Sequence, residues 1–188
     1  KIAVPVELTG QFQARGDIDY FSFDAKAGEV FWVEVFGERT GSGADPQFAI
    51  EQIAKDAKGE ETANRLTAQD DNPLNIGGTL FNTTSDDPVF RFTAGTDGTY
   101  RVVVRDRFFE SRGDPRLVYR LSIRKETPDF RLAVLAPFPT VDPATLSSPF
   151  TLNLRRGDNL QVNVMAYRRD GYTGPIDVVV EGLPAGVT

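Results

Sequence analysis

The chain of 188 residues contains no cysteine and no histidine. That removes Ser-His-Asp and Cys-His catalysis, His or Cys zinc sites, haem ligation, iron–sulfur clusters and disulfides. It leaves the compartment open, because a secreted domain of this size buries a core large enough to dispense with disulfides. Basic residues are in deficit: 21 Lys and Arg stand against 27 Asp and Glu, a formal net charge of −6. Nucleic acid needs a basic surface, so nucleic-acid partners are excluded and an anionic membrane surface is disfavoured. The same charge is compatible with cation binding, although an acidic surface commonly serves only solubility. No apolar run is long enough to span a bilayer and no signal peptide stands at the start, so no membrane insertion is expected. Position 1 is Lys rather than an initiator Met, which leads us to expect a piece of a longer parent chain whose other domains are its neighbours.

What the chain does have is aromatic and turn-forming. Fourteen Phe in Val-rich alternating stretches favour strand over helix, and 12 Pro with 17 Gly fit many turns. Residues 86–104 organise the rest. Phe90 and Phe92 alternate with polar neighbours, Asp97-Gly98 is a hairpin signal, and Tyr100, Val102 and Val104 alternate on the return. Residues 17–35 match this stretch at one constant offset without a gap. Phe21 falls on Phe90, Phe23 on Phe92, Ala25 on Ala94, Phe31 on Tyr100, Val33 on Val102 and Val35 on Val104. One-faced hairpins cannot bury their apolar sides alone, so the expectation is two hairpins packed as the centres of two facing sheets.

Other strands surround this pair. Residues 2–8 form an opening strand with Ile2, Val4, Val6 and Leu8 on one face, at an edge because Pro5 cannot donate to a ladder. Thr9-Gly10 marks a turn or bulge. Asp45-Pro46 opens a strand with Phe48 and Ile50 inward, and residues 55–64 are a hairpin tip or a short exposed helix. Gln69-Asp70-Asp71-Asn72-Pro73 is an acidic turn, and Leu80-Phe81 leads to the second hairpin. Leu117, Tyr119, Leu121 and Ile123 share one face of a closing strand. Residues 125–129 are charged, contain Pro128 and do not alternate, which marks a boundary between a first domain at 1–127 and a second segment at 128–188. There the pattern restarts: Phe130, Leu132 and Val134; an extended Pro-rich stretch at 137–149; a strand at 150–154; Leu160, Val162, Val164 and Ala166; a turn at Asp170-Gly171; and a return through Ile176, Val178 and Val180. The chain reads as all-β, and its second segment resembles the front half of an immunoglobulin-like sandwich, too short for a whole one.

Ordered landmarks in the first domain carry a family resemblance. Gly10, Gly16-Asp17-x-Asp19-Tyr20-Phe21-x-Phe23, Ala27-Gly28, Asp45-Pro46, Asp70-Asp71, Phe90-x-Phe92, Asp97-Gly98-Thr99-Tyr100-x-Val102-x-Val104 and Tyr119-x-Leu121 resemble the bacterial pre-peptidase C-terminal domain. Arg156-Gly157, Arg169-Asp170-Gly171 and the ending at 182–188 look like the immunoglobulin-like modules that follow such domains in large bacterial surface proteins. The resemblance implies a jelly-roll-like β-sandwich that is not itself catalytic. Such domains are appended to secreted peptidases and cell-surface proteins, and in collagenase relatives they bind calcium. Asp17 and Asp19 match the calcium-binding acids of those relatives by position, with Glu7 as a further match. No residue here matches a particular collagen-binding residue.

The residues themselves leave alternatives open. Asp17 and Asp19 are two apart in a turn and reach one ion if the turn bends around it, or Asp17 simply caps the turn. Asp45, Asp70 and Asp71 converge on an ion if their two loops share a sandwich end, or they are solvated turns. Asp86-Asp87 is explained by the turn at Pro88. Arg15-Gly16-Asp17 spells an integrin-type tripeptide that is common by chance. Outward-facing Trp32 and Tyr20 offer a sugar-stacking platform or a contact with a neighbouring domain. No carboxylate spacing points to a glycosidase. The sum is a non-catalytic, secreted or cell-surface spacer or adhesion module, with calcium the ion that its acidic turns would hold if they hold one. The rival is a module that targets an appended peptidase or other hydrolase to protein or polysaccharide.

Overall fold

The structure, a computed structural model, describes residues 1–78, 82–135 and 154–187. The expected lead-in at Leu80-Phe81, the Pro-rich stretch at 137–149, all but Leu154 of the strand at 150–154, and Thr188 lie outside the described residues. The chain divides into two compact units, Lys1–Glu126 and Thr127–Thr188.

The first unit has eight strands: β1 (Val6–Gln11), β2 (Ile18–Ala25), β3 (Val30–Phe36), β4 (Pro46–Lys55), β5 (Glu61–Gln69), β6 (Val89–Thr93), β7 (Gly98–Asp106) and β8 (Val118–Lys125). They form two four-stranded antiparallel sheets, ordered β1-β8-β3-β6 and β2-β7-β4-β5. The pairs β1–β8, β2–β7, β3–β6 and β4–β5 are nested one inside the next along the chain. This nesting over two sheets is the jelly roll. Alternation places Phe23, Val33, Ile50, Val102, Leu121 and Ile123 fully inside, where each side chain contributes roughly 1.5–3 kcal/mol through burial.

The two matching stretches are structural repeats, but they are not hairpins. β2 and β3 belong to different sheets, and so do β6 and β7. The four-residue links at 26–29 and 94–97 carry the chain across the core. Gly98 does not take the positive φ that a tight Asp-Gly hairpin turn demands. Each copy gives one strand to each sheet, and the copies pair crosswise, with Phe23 opposite Tyr100 and Phe31 opposite Phe92. Exchanging the copies turns the first pair into the second, so the register is itself symmetric. The edge-on contact of Phe23 with Phe31, centroids 5.5 Å apart, corresponds to that of Phe92 with Tyr100 at 5.0 Å. Alternation says which side of a strand is apolar. It does not say which strand receives its backbone hydrogen bonds, and both arrangements bury the same side chains.

Other expectations shift locally. The opening strand starts at Val6 rather than Ile2, although Ile2 and Val4 still pack on the core, and Pro5 directly precedes an edge strand. Thr9 and Gly10 lie inside β1 rather than in a turn. Gly10 is required because the Tyr119 ring lies against its Cα, where a Cβ would overlap it. Residues 56–60 are the tip of the β4–β5 hairpin. Gly59 has φ 82°, and the Asp56 carboxylate accepts from the N–H groups of Lys58 and Glu60 at 2.8 and 2.9 Å.

In the second unit the described residues contain one antiparallel pair, β9 (Asp129–Leu135) with β10 (Asn163–Arg169). Asp170 and Gly171 both have positive φ, and Tyr172 N–H donates to the Arg169 carbonyl at 3.0 Å, which makes the expected turn. The expected return through Ile176, Val178 and Val180 is not a strand. Arg168 and the Tyr172 hydroxyl donate to the Gly174 and Pro175 carbonyls and hold the chain there in a loop. Val178 and Val180 are exposed.

Gly10→Ala is expected to destabilise the first unit by about 1–3 kcal/mol, because the added methyl overlaps the Tyr119 ring. Gly98→Ala meets open space and should stay within about 0.5 kcal/mol of wild type. Urea unfolding of both variants checks this, and a large loss at Gly98 would restore a hairpin turn there.

A candidate metal centre at the loop end of the sandwich

Three loops are tied together at one end of the first unit: residues 37–45 after β3, the described residues around 70–72 and 85–88 between β5 and β6, and residues 106–114 from the end of β7. Two fully buried carboxylates hold them. Asp87 Oδ1 accepts the N–H groups of Gly37 and Glu38 at 2.6 and 2.7 Å, and Oδ2 accepts the Arg39 N–H at 3.0 Å and its Nε at 2.7 Å. Successive amides at the start of the short turn Glu38–Thr40 thus wrap one carboxylate. Asp106 accepts the N–H of Asp45 at 3.1 Å, the N–H of Phe108 at 2.8 Å, and the Arg112 guanidinium through two bonds at 2.8 and 2.7 Å. Burial alone would raise the Asp106 carboxyl. Arg112 and the amides of Asp45 and Phe108 outweigh it, so the group stays below the usual carboxylate range.

This clamp places Asp45. Its N–H goes to Asp106, and its carbonyl accepts the Arg107 N–H at 2.7 Å. Asn72 and Ser85 exchange backbone hydrogen bonds at 2.8 and 3.1 Å and pin the chain directly after Asp70 and Asp71. Asp45, Asp70 and Asp71 each bring a carboxylate oxygen to within 4.8 Å of the others, the one such group of acids among the described residues. The Arg107 guanidinium donates to Asp70 Oδ2. Asp45 Oδ1 and Asp70 Oδ1 are buried with no hydrogen-bond donor. The Asp45 carboxyl is pushed up to about 6, chiefly by burial and then by the charge of Asp70, with Arg107 pulling the other way. Three converging carboxylates with two orphaned oxygens fit a hard, oxygen-seeking cation, whose charge would relieve both burial and repulsion.

The other predicted residues are placed differently. Asp17 Oδ2 accepts the Gln13 N–H at 2.7 Å, as a turn cap does. Asp19 Oδ2 accepts the Tyr119 hydroxyl at 2.5 Å, and burial together with that bond raises the Tyr119 phenol. Glu7 is exposed on the edge strand β1. Tyr20 is exposed on β2 under the Arg101 guanidinium, 5.1 Å from its centroid. Trp32 is half-buried on β3, with Arg124 5.6 Å from its ring centroid. They stand on the outer sides of different sheets, so they do not make one platform. Asp106, Arg107 and Arg112 were not foreseen, and Asp87 was read only as part of the turn at Pro88. Asp106 had a signal, being a charge in phase with the inward Tyr100, Val102 and Val104. Asp87 had none, because Pro88 breaks the alternation.

No family model matches the sequence, and no curated protein matches it. Among solved structures, the chain is similar to the pre-peptidase C-terminal domain of a collagenase from Bacillus anthracis, at 15% identity and a TM-score of 0.43, over 65% of this chain and 91% of that one. It is also similar to PliG, a periplasmic inhibitor of g-type lysozyme from Aeromonas hydrophila, at 16% identity and a TM-score of 0.38, over 63% of this chain and 85% of that one. The first of these is the kind of domain that the sequence landmarks resemble.

Asp106→Ala is expected to lose about 3–5 kcal/mol, because Arg112 and two amides are left without their anion. The pH dependence has a definite sign. A carboxyl held below its ordinary value of about 3.9 contributes stability above that pH, and the contribution is lost as pH falls through the folded value. Urea unfolding followed downward from neutral pH should therefore show a shallower acid loss in Asp106→Asn than in wild type. Equal acid limbs would contradict the clamp.

Proposed function

We propose that the chain is a non-catalytic, extracellular or cell-surface β-sandwich module, a structural or adhesive spacer within a larger parent protein, stiffened by calcium held between Asp45, Asp70 and Asp71. The observation that carries this reading is the pair of buried, donorless oxygens, Asp45 Oδ1 and Asp70 Oδ1, within a three-carboxylate group. Converging oxygens suit one ion better than they suit the two acids of a glycosidase, which must stand apart on either side of a sugar bond. Among the described residues no helix is long and apolar enough to cross a membrane. The second unit fits the part of an immunoglobulin-like module that follows such a spacer, with β9, β10 and the Asp170-Gly171 turn as its start.

At neutral pH, calcium at about 100 times its dissociation constant should raise the melting temperature by roughly 5–10 °C over protein in chelator. Asp45→Asn should abolish that rise. In chelator the same variant should melt higher than wild type, because it removes an ionised, half-buried carboxylate beside Asp70. Asp17→Ala with Asp19→Ala should keep the calcium effect. The chelated wild type should also lose stability as pH climbs from about 4 through about 6, since a carboxyl with a raised folded value stabilises only while protonated. No calcium shift in differential scanning calorimetry would leave a spacer without a resident ion.

A further inference from the structure

The outer side of sheet β2-β7-β4-β5 carries a trough of about 170 Å³ that runs across the strands. Residues opposite one another in register build it in rows. Tyr20, Val103, Ala49 and Ala68 succeed one another over four strands and form the floor, with Tyr20 at one end. Arg105 with Gln47 makes one wall, and Arg101, Glu51 and Arg65 make the other. The floor is low at the end away from Tyr20 because Ala49 and Ala68 are small.

The walls are held rigid. The Arg101 guanidinium donates to Glu51 at 2.8 and 3.1 Å and to Glu61 at 2.8 Å. Arg105 donates to Gln47 Oε1 at 3.2 and 2.9 Å and lies 4.5 Å over the Phe109 ring centroid. Gln47 is neutral, so among the described residues the Arg105 charge has no carboxylate partner. Arg65 reaches this side through a β-bulge. The register shifts between Ile50 and Glu51 and leaves Leu66 as the extra residue. Uninterrupted alternation from Ala68 would have turned Arg65 towards the core. Bulges of this kind commonly re-aim a side chain into a site.

We propose that this trough binds an acidic polysaccharide chain, with one sugar ring stacked on Tyr20 and a uronate carboxylate paired with Arg105. Tyr20 is 56% exposed at the end of the trough, with the Arg101 guanidinium 5.1 Å from its centroid on one face of the ring, and the sugar would stack on the other face. The guanidinium fork suits a planar carboxylate, and the Gln and Glu side chains suit hydroxyls. Four strands span about 14 Å, room for a short oligosaccharide. An extended peptide fits less well, because it takes its backbone partners from a free sheet edge, and β7 and β4 both have neighbours on either side. The trough and the loop-end acids share no residue, so this inference stands apart from the calcium reading.

Isothermal titration of the whole chain with oligogalacturonate tests it, with a neutral cello-oligosaccharide and polyglutamate as comparisons. Oligogalacturonate is expected to bind with a dissociation constant of about 1 mM or tighter. Arg105→Gln and Tyr20→Ala should each weaken binding by about tenfold or more. Ala68→Phe, which fills the trough at an exposed position and removes no bond, should do the same with the melting temperature unchanged, while the other two variants lose only surface contacts and stay folded at the titration temperature. The proposal is overturned by absence of binding up to about 10 mM. Equal binding of the neutral oligosaccharide, tighter binding of polyglutamate, or binding indifferent to all three variants would also overturn it.

Discussion

A carboxylate that water does not reach has to be met by donors on every side, and the loop end of this sandwich is built around two of them. Asp87 and Asp106 each receive four hydrogen bonds, from backbone amides and from one arginine apiece. Meeting that requirement dictates the course of the chain at 37–39, at 45 and at 106–112. It also engages Arg39, Arg112 and the amides of residues 37–39, 45 and 108. What remains for Asp45, Asp70 and Asp71 is Arg107, and it serves Asp70. The acidic group is thus a consequence of the clamps beside it: they fix its geometry and leave it short of positive charge.

The jelly roll keeps the core, the outer trough and the loop clamp apart. Strands β2 and β7 send Phe23, Tyr100, Val102 and Val104 inward and Tyr20, Arg101, Val103 and Arg105 outward. The same ladder therefore writes the core on one side and the trough on the other. At the end of β7 the inward phase reaches Asp106, where the core gives way to the loop clamp. Trp32, on the facing sheet, belongs to neither site. A surface exchange in the trough leaves the core side chains in place, whereas a change at Asp106 acts on the loops and on Asp45 together.

Much of the fold is local, and that part was legible. Strand period is two, so the alternation through Phe21 and Phe23, through Phe90 and Phe92, and through Tyr119, Leu121 and Ile123 shows which side chains go inward without reference to anything distant. The constant offset between the two stretches was legible for the same reason. The acids at Asp45, Asp70 and Asp71 could be named as turn residues. The buried Asp106 was visible as a charge in phase with the core, and it went unread because its neighbour Arg107 makes the segment look like a polar loop.

The sequence by itself determined the all-β character, the inward faces, the repeat and the acidic turns. Each of these depends on side chains within a few residues of one another. Only the tertiary structure decided that residues 26–29 and 94–97 cross between sheets, that Asp45 meets Asp70, and that Tyr20 and Trp32 part to opposite sides. Those outcomes depend on hydrogen-bond partners chosen between strands far apart in the chain, and a one-dimensional pattern of apolar and polar residues is satisfied equally by either choice.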